Sequence, residues 1–86
     1  MISSRLIVQY LNTAMPDADV VVTDKTGVMD HYRLRVVSEA FSGKNLLDRR
    51  RMVFAALQEP MADGRIHALE IQSYTPDEAV TAVAAG

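Results

Sequence analysis

The chain predicts an α+β domain: a three-stranded mixed sheet with helices packed on one face. Three observations predict it. Helical and strand periodicities follow one another in the order helix, strand, strand, helix, strand, helix, with room for a short extra helical turn before the second long helix. The first two strand-like runs are separated by a short turn, which makes them an antiparallel hairpin. The second and third are separated by a helix, and that crossover makes them a parallel pair. The 86 residues, 49% hydrophobic and 23% charged, suffice for one hydrophobic core and leave no room for a second.

Each element has a local reason. From Ser3 to Ala14, Leu6, Ile7, Tyr10, Leu11 and Ala14 recur at the offsets of an amphipathic helix; Ser3 or Ser4 can cap its start and Pro16 lies just past its end. Ala18 to Thr23 is short and β-branched, as a strand requires, and Asp24-Lys25-Thr26-Gly27 has turn chemistry. His31 to Ser38 alternates, with Tyr32, Leu34 and Val36 on one face and Arg33, Arg35 and Val37 on the other. Ser42-Gly43-Lys44-Asn45 breaks that pattern. Asn45 can then cap a helix beginning at Leu46, with Asp48 in the first turn where a negative charge suits the helix dipole. Leu46, Val53, Ala56 and Leu57 lie on or near one stripe of that helix, Leu47 and Phe54 border it, and Pro60 and Gly64 close it. Arg65 to Ser73 reads as the third strand, with His67, Leu69 and Ile71 sharing a face. Thr75-Pro76-Asp77-Glu78 has the form of a capping box with proline at the first helical position, opening the last helix. The whole chain, 1–86, is expected to be one domain, with 81–86 a candidate disordered tail.

Composition removes several function classes. With no cysteine, the chain has no disulfide, no thiol nucleophile and no thiolate metal site, and it cannot hold an iron–sulfur cluster alone. No apolar run approaches the roughly 20 residues of a membrane span and no signal-peptide pattern opens the chain, so a cytoplasmic protein is expected. There is no G-x-S-x-G elbow, Walker loop or G-x-G-x-x-G motif, and Gly43-Lys44-Asn45-Leu46 is not a GXXG nucleic-acid clamp. Glu39, Glu70, Asp77 and Glu78 form no recognisable acid/base pair. The expectation is that the chain is not an enzyme.

Two features remain that could carry function. Residues 33–51 hold six of the nine basic residues (Arg33, Arg35, Lys44, Arg49, Arg50, Arg51) against two acids, a net +4, while the rest of the chain carries −6. Such a patch suits phosphates or an acidic partner, although an arginine triplet is as often a solvated helix face. Neighbours on a helix diverge by about 100°, so one of the three arginines is expected against the sheet. The second feature is the pair of histidines, His31 and His67, each at the opening of a strand. Histidine is the commonest metal ligand, but a single one is more often structural.

Four linked motifs carry a resemblance: Tyr32 with Val36-Val37-Ser38-Glu39-Ala40-Phe41-Ser42-Gly43-Lys44; Leu47-Asp48-Arg49-Arg50-Arg51-Met52-Val53-Phe54-Ala55-Ala56-Leu57; Ile66-His67-Ala68-Leu69; and Tyr74-Thr75-Pro76-Asp77-Glu78. In this order, across roughly residues 3–80, they closely resemble the BolA family. The resemblance implies a KH-like fold with a helix-turn-helix-like segment around Ser42 to Leu57, and a non-enzymatic partner of a monothiol glutaredoxin. It implies a [2Fe-2S] cluster shared between the two proteins and none when the chain is alone. The glutaredoxin supplies a cysteine and a bound glutathione thiol, and this chain supplies a histidine, which maps onto His67. A second family ligand usually sits in the loop between the first two strands. That loop here has neither cysteine nor histidine, which makes His31 the nearest candidate. The family's Arg-His-Arg is Arg49-Arg50-Arg51, and its C-terminal tryptophan is absent. Iron–sulfur trafficking or iron/redox regulation is the implied role, with cluster binding dependent on a deprotonated imidazole. The alternative is a DNA-binding transcriptional regulator acting through the basic segment. Ser42, Lys44, Arg49, Arg50 and Arg51 are the expected docking residues for partner or DNA, with no membrane role and a monomer or weak homodimer in solution.

Overall fold

The computed structural model describes residues 2–27 and 31–85, with side chains through Thr81. Its elements are α1 (Ser4–Ala14), β1 (Asp19–Asp24), β2 (His31–Val37), a 3-10 turn at Glu39–Phe41, α2 (Leu46–Ala56), α3 (Gln58–Ala62), β3 (Ala68–Tyr74) and α4 (Pro76–Ala85). The sheet runs β1-β2-β3, antiparallel across β1/β2 and parallel across β2/β3, as the hairpin and the helical crossover require. The expected α+β class and mixed sheet are therefore present.

Strand alternation decides what is buried. Tyr32, Leu34 and Val36 of β2 point into the core with Ile7 and Leu11 of α1 and with Val53 and Leu57 beside them. Arg33, on the opposite face, is exposed. The Tyr32 hydroxyl is the polar end of this apolar layer; it donates to the Ile2 carbonyl and so ties the N-terminal segment to the central strand.

The caps are those read from the residues. The Ser3 hydroxyl accepts the Leu6 N–H and Asn45 Oδ1 accepts the Asp48 N–H at 2.8 Å. Thr75 and Glu78 close the reciprocal box, Thr75 N–H donating to Glu78 at 2.8 Å and Glu78 N–H to the Thr75 hydroxyl at 3.3 Å. In the β1–β2 turn, Asp24 Oδ1 accepts from Thr26 and Gly27, and Gly27 takes φ +78°, which a side chain would resist. The rest of that connection, residues 28–30, and with it part of the loop that lacks a cysteine or histidine, lies outside the described residues.

Two elements differ from expectation. The long second helix is broken at Leu57 into α2 and α3. A continuous helix would need a Pro60 N–H donating to Ala56, and proline has none; its ring would also clash with that carbonyl. Placed in the first turn of α3 instead, Pro60 loses nothing. The third strand begins at Ala68 rather than Arg65. Ile66 N–H turns back to the Pro60 carbonyl and Arg65 is held by Asp63, so His67 sits immediately before β3, exposed, and does not share the inward face of Leu69 and Ile71.

Candidate functional site

Parallel pairing of β2 and β3 brings their N-terminal ends to the same edge of the molecule. His31 is opposite Ala68 in register, which puts His67 next to it; the two imidazole rings lie 6.5 Å apart, edge to face at 72°. Both histidines are exposed. The two histidines, separated by 36 positions in sequence, thus form one pair. Among the described residues no three metal-ligating side chains come together.

The pair's geometry can be tested against an iron centre. Metal–nitrogen bonds of about 2.0–2.1 Å put two tetrahedrally disposed imidazole centroids about 5 Å apart. The observed 6.5 Å is wider. At that spacing the two rings could meet one metal only after side-chain rotation.

Beside the histidines lies a charge cluster that sequence reading missed. Lys25 Nζ is 2.9 Å from Glu70 Oε2 and Arg33 Nε is 3.2 Å from Glu70 Oε1. The lysine first, and the arginine with it, hold the Glu70 carboxyl below the usual carboxylate range. Lys25 had been legible only as a turn residue; what brings it here is the hairpin, whose Lys25 N–H donates to the His31 carbonyl at 2.9 Å.

The arginine triplet divides as helix geometry demands. Arg49 is 7% exposed. Its Nε donates to the Lys44 carbonyl at 2.9 Å, its fork makes 2.6 and 3.2 Å contacts with the Glu78 carboxylate, Nη1 reaches the Ser73 carbonyl at 3.4 Å, and the guanidinium lies 5.8 Å from the Phe41 ring centroid. Arg49, with help from the Thr75 N–H, lowers the Glu78 pKa to about 2. Arg49 is thus the strut between α2, β3 and α4, and its donors are committed to the fold rather than to docking. Arg50 and Arg51 face solvent, the first stacked over Phe54 at 5.2 Å and the second 3.6 Å from Asp48. Ser42 and Lys44 are exposed in the turn that precedes them.

Leu46 and Leu47, expected on and beside the buried stripe, are 74% and 55% exposed. The buried positions of α2 are Arg49 and Val53, the latter as expected, while Leu46 and Leu47 line a shallow recess with Arg50, Ile71 and Ser73. Leu46 borders a groove of about 510 Å³ between α2 and α4 that is also lined by Arg49, Tyr74 and Glu78. The outward-facing side of the α2 start is therefore both cationic and apolar.

A protein-family model described as BolA-like protein matches residues 16–78, a span that takes in both histidines, the hairpin and the arginine helix. The chain belongs to the BolA family. Among relatives, it is 36% identical over 76 residues to an uncharacterized protein in the rpoN-murA intergenic region of Acinetobacter guillouiae, with 88% of each chain covered. It is 50% identical over 50 residues to BolA-like protein 1 of Bos taurus, a match covering 58% of this chain and 36% of the bovine one. The crystal structure of a Bol-like protein from Babesia bovis superposes with a TM-score of 0.82 at 31% identity, covering 96% of this chain and 95% of that one. The BolA fold is thus shared over nearly the whole chain. Among the described residues no helix is long and apolar enough to cross a membrane.

Proposed function

We propose that this BolA-family chain binds a monothiol glutaredoxin and contributes His67 to a [2Fe-2S] cluster whose thiolate ligands come from the partner, in iron–sulfur trafficking or iron/redox regulation. The observation that carries the reading is the exposed His31–His67 pair at the open end of the parallel strands. A chain without cysteine offers such a cluster no thiolate, and this end presents two imidazoles together. Family membership supports the partner that supplies the rest.

His67 is the first ligand and His31 the second candidate, brought within reach by ring rotation. A neutral imidazole in place of a thiolate raises a cluster's potential, as in Rieske centres. The chain's own contribution is positional: the turn that links Ile66 to Pro60 holds His67 outside the strand, and the register of β2 against β3 holds His31 beside it. Ser42, Lys44, Arg50 and Arg51, with exposed Leu46 and Leu47, form the proposed docking surface.

Anaerobic titration of the chain into cluster-loaded monothiol glutaredoxin, followed by visible circular dichroism, tests the reading. A spectral change complete at one-to-one stoichiometry, lost or altered in His67→Ala, supports it. An unchanged spectrum with the wild-type chain refutes it.

The exposed Arg50 and Arg51 on one helix favour a second reading, a DNA-binding regulator. Phosphate contacts would make its affinity fall steeply with salt, and Arg50→Glu would abolish it, whereas His67→Ala would leave it in place.

A further inference from the structure

The charge cluster beside the histidines has more cation than its own carboxylate needs. Lys25 and Arg33 both point at Glu70, so two positive charges share one negative, and all three side chains are 44–45% exposed. Among the described residues Lys25 spends one of its three ammonium donors on Glu70 and Arg33 one of its five, leaving donors uncommitted on partly exposed side chains. Alternation places Arg33, Glu70 and His31 on the sheet face opposite the core, and Lys25, Glu70, His31 and Ala68 line one recess of about 180 Å³. The next residue along β2 on that face is another cation, Arg35, lying over Tyr74 at 5.2 Å. The positive strip therefore starts at the histidine pair and runs away from it.

We propose that Lys25 and Arg33 are the seat for a carboxylate carried by whatever brings the cluster's other ligands, a role that rests on the cluster-sharing reading of His67. A thiolate-ligated ferric [2Fe-2S] cluster is anionic, and its carriers, a glutathione or an acidic protein surface, present carboxylates close to it. Glu70 keeps both cations in place while the site is free. It also competes with the incoming carboxylate, which gives the two kinds of substitution opposite signs.

Affinity for cluster-loaded monothiol glutaredoxin, measured by calorimetry with the full chain, reads this directly. Lys25→Gln weakens the complex about two- to fivefold, the range of one exposed ion contact, and Glu70→Gln tightens it by a similar factor, both without altering the visible spectrum. Side-chain NMR shifts of Lys25 and Arg33 on adding S-methylglutathione to the free chain, absent in Lys25→Gln, identify glutathione as the source. Shifts that appear only with glutathione-free apo-glutaredoxin identify an acidic side chain of the partner. Wild-type affinity in both the Lys25 and Glu70 variants, or weaker binding by Glu70→Gln, overturns the seat. Failure of His67→Ala to alter the spectrum overturns the reading beneath it instead.

Discussion

Arg49→Met separates the strut from the docking residues beside it. Methionine keeps most of the arginine stem's volume, so the change removes the guanidinium and its contacts with little loss of packing. The charge-assisted bond to the Lys44 carbonyl at 2.9 Å is the largest loss, and the bond to the Ser73 carbonyl at 3.4 Å is long and counts for less. Hydrogen bonds to a charged group contribute about 1.5–3 kcal/mol each when well made, and a carbonyl left without a partner adds to the cost. The Glu78 side of the ion pair is 47% exposed, so water screens it and it adds little. The sum is about 2–3 kcal/mol, or about 10–20 °C in Tm for a domain of this size. Thermal and urea unfolding followed by far-ultraviolet circular dichroism measure it, with Arg50→Glu and Arg51→Glu as controls expected within about 0.5 kcal/mol of wild type. Equal stability of Arg49→Met and wild type would refute the strut, and a large loss in Arg50→Glu would show that the helix face has been assigned wrongly.

Other consequences are as direct. Leu34 is fully buried on the central strand, and Leu34→Ala should cost about 3–4 kcal/mol in urea unfolding. Glu78 has a folded-state pKa of about 2 against an ordinary 4.5, and a depressed carboxylate stabilises the fold above its unfolded pKa; that contribution is present near neutrality and is lost as pH falls from about 4.5 towards about 2. Glu78→Gln should flatten acid unfolding in that window, and an unchanged acid limb would contradict the pairing. Asp17, lowered by the Glu39 N–H and the Ser38 hydroxyl, adds to the same limb, so Asp17→Asn should shift the acid midpoint in the same sense. His31→Ala should perturb the cluster's visible spectrum less than His67→Ala, because only the latter residue is read as the first ligand.

Most of the architecture could be read from residues whose signal is local. Ser3, Asn45 and the Thr75–Glu78 box announce their helices through short side-chain-to-backbone bonds, and Tyr32, Leu34 and Val36 announce a half-buried strand through period-two alternation. The misses come from backbone bonds and neighbours that hydrophobic periodicity does not report. The break at Leu57 follows from the missing N–H of Pro60, which leaves the Ala56 carbonyl four residues earlier without its helical donor, within a stretch whose apolar pattern reads as one continuous helix. The start of β3 is delayed because Ile66 prefers the Pro60 carbonyl over a ladder partner. Leu46 is exposed while Arg49 is the arginine of the triplet that turns inward, because the guanidinium finds Glu78 and the Lys44 carbonyl there, partners that periodicity does not carry. In the candidate site, His67 emerged from its family motif and His31 only by elimination; their proximity needed the parallel register of β2 and β3. Lys25 and Glu70, far apart in sequence and ordinary in type, gave no signal until the hairpin and the parallel β2/β3 register placed them together.

The central claim is that an imidazole of this chain binds iron. The most direct measurement is pulsed electron paramagnetic resonance on the reduced cluster, formed from unlabelled glutaredoxin and this chain labelled with 15N only at histidine. The account predicts a strong 15N hyperfine coupling that disappears in His67→Ala. A reduced cluster with no 15N coupling in the wild-type complex, or one whose coupling survives that substitution unchanged, would contradict it.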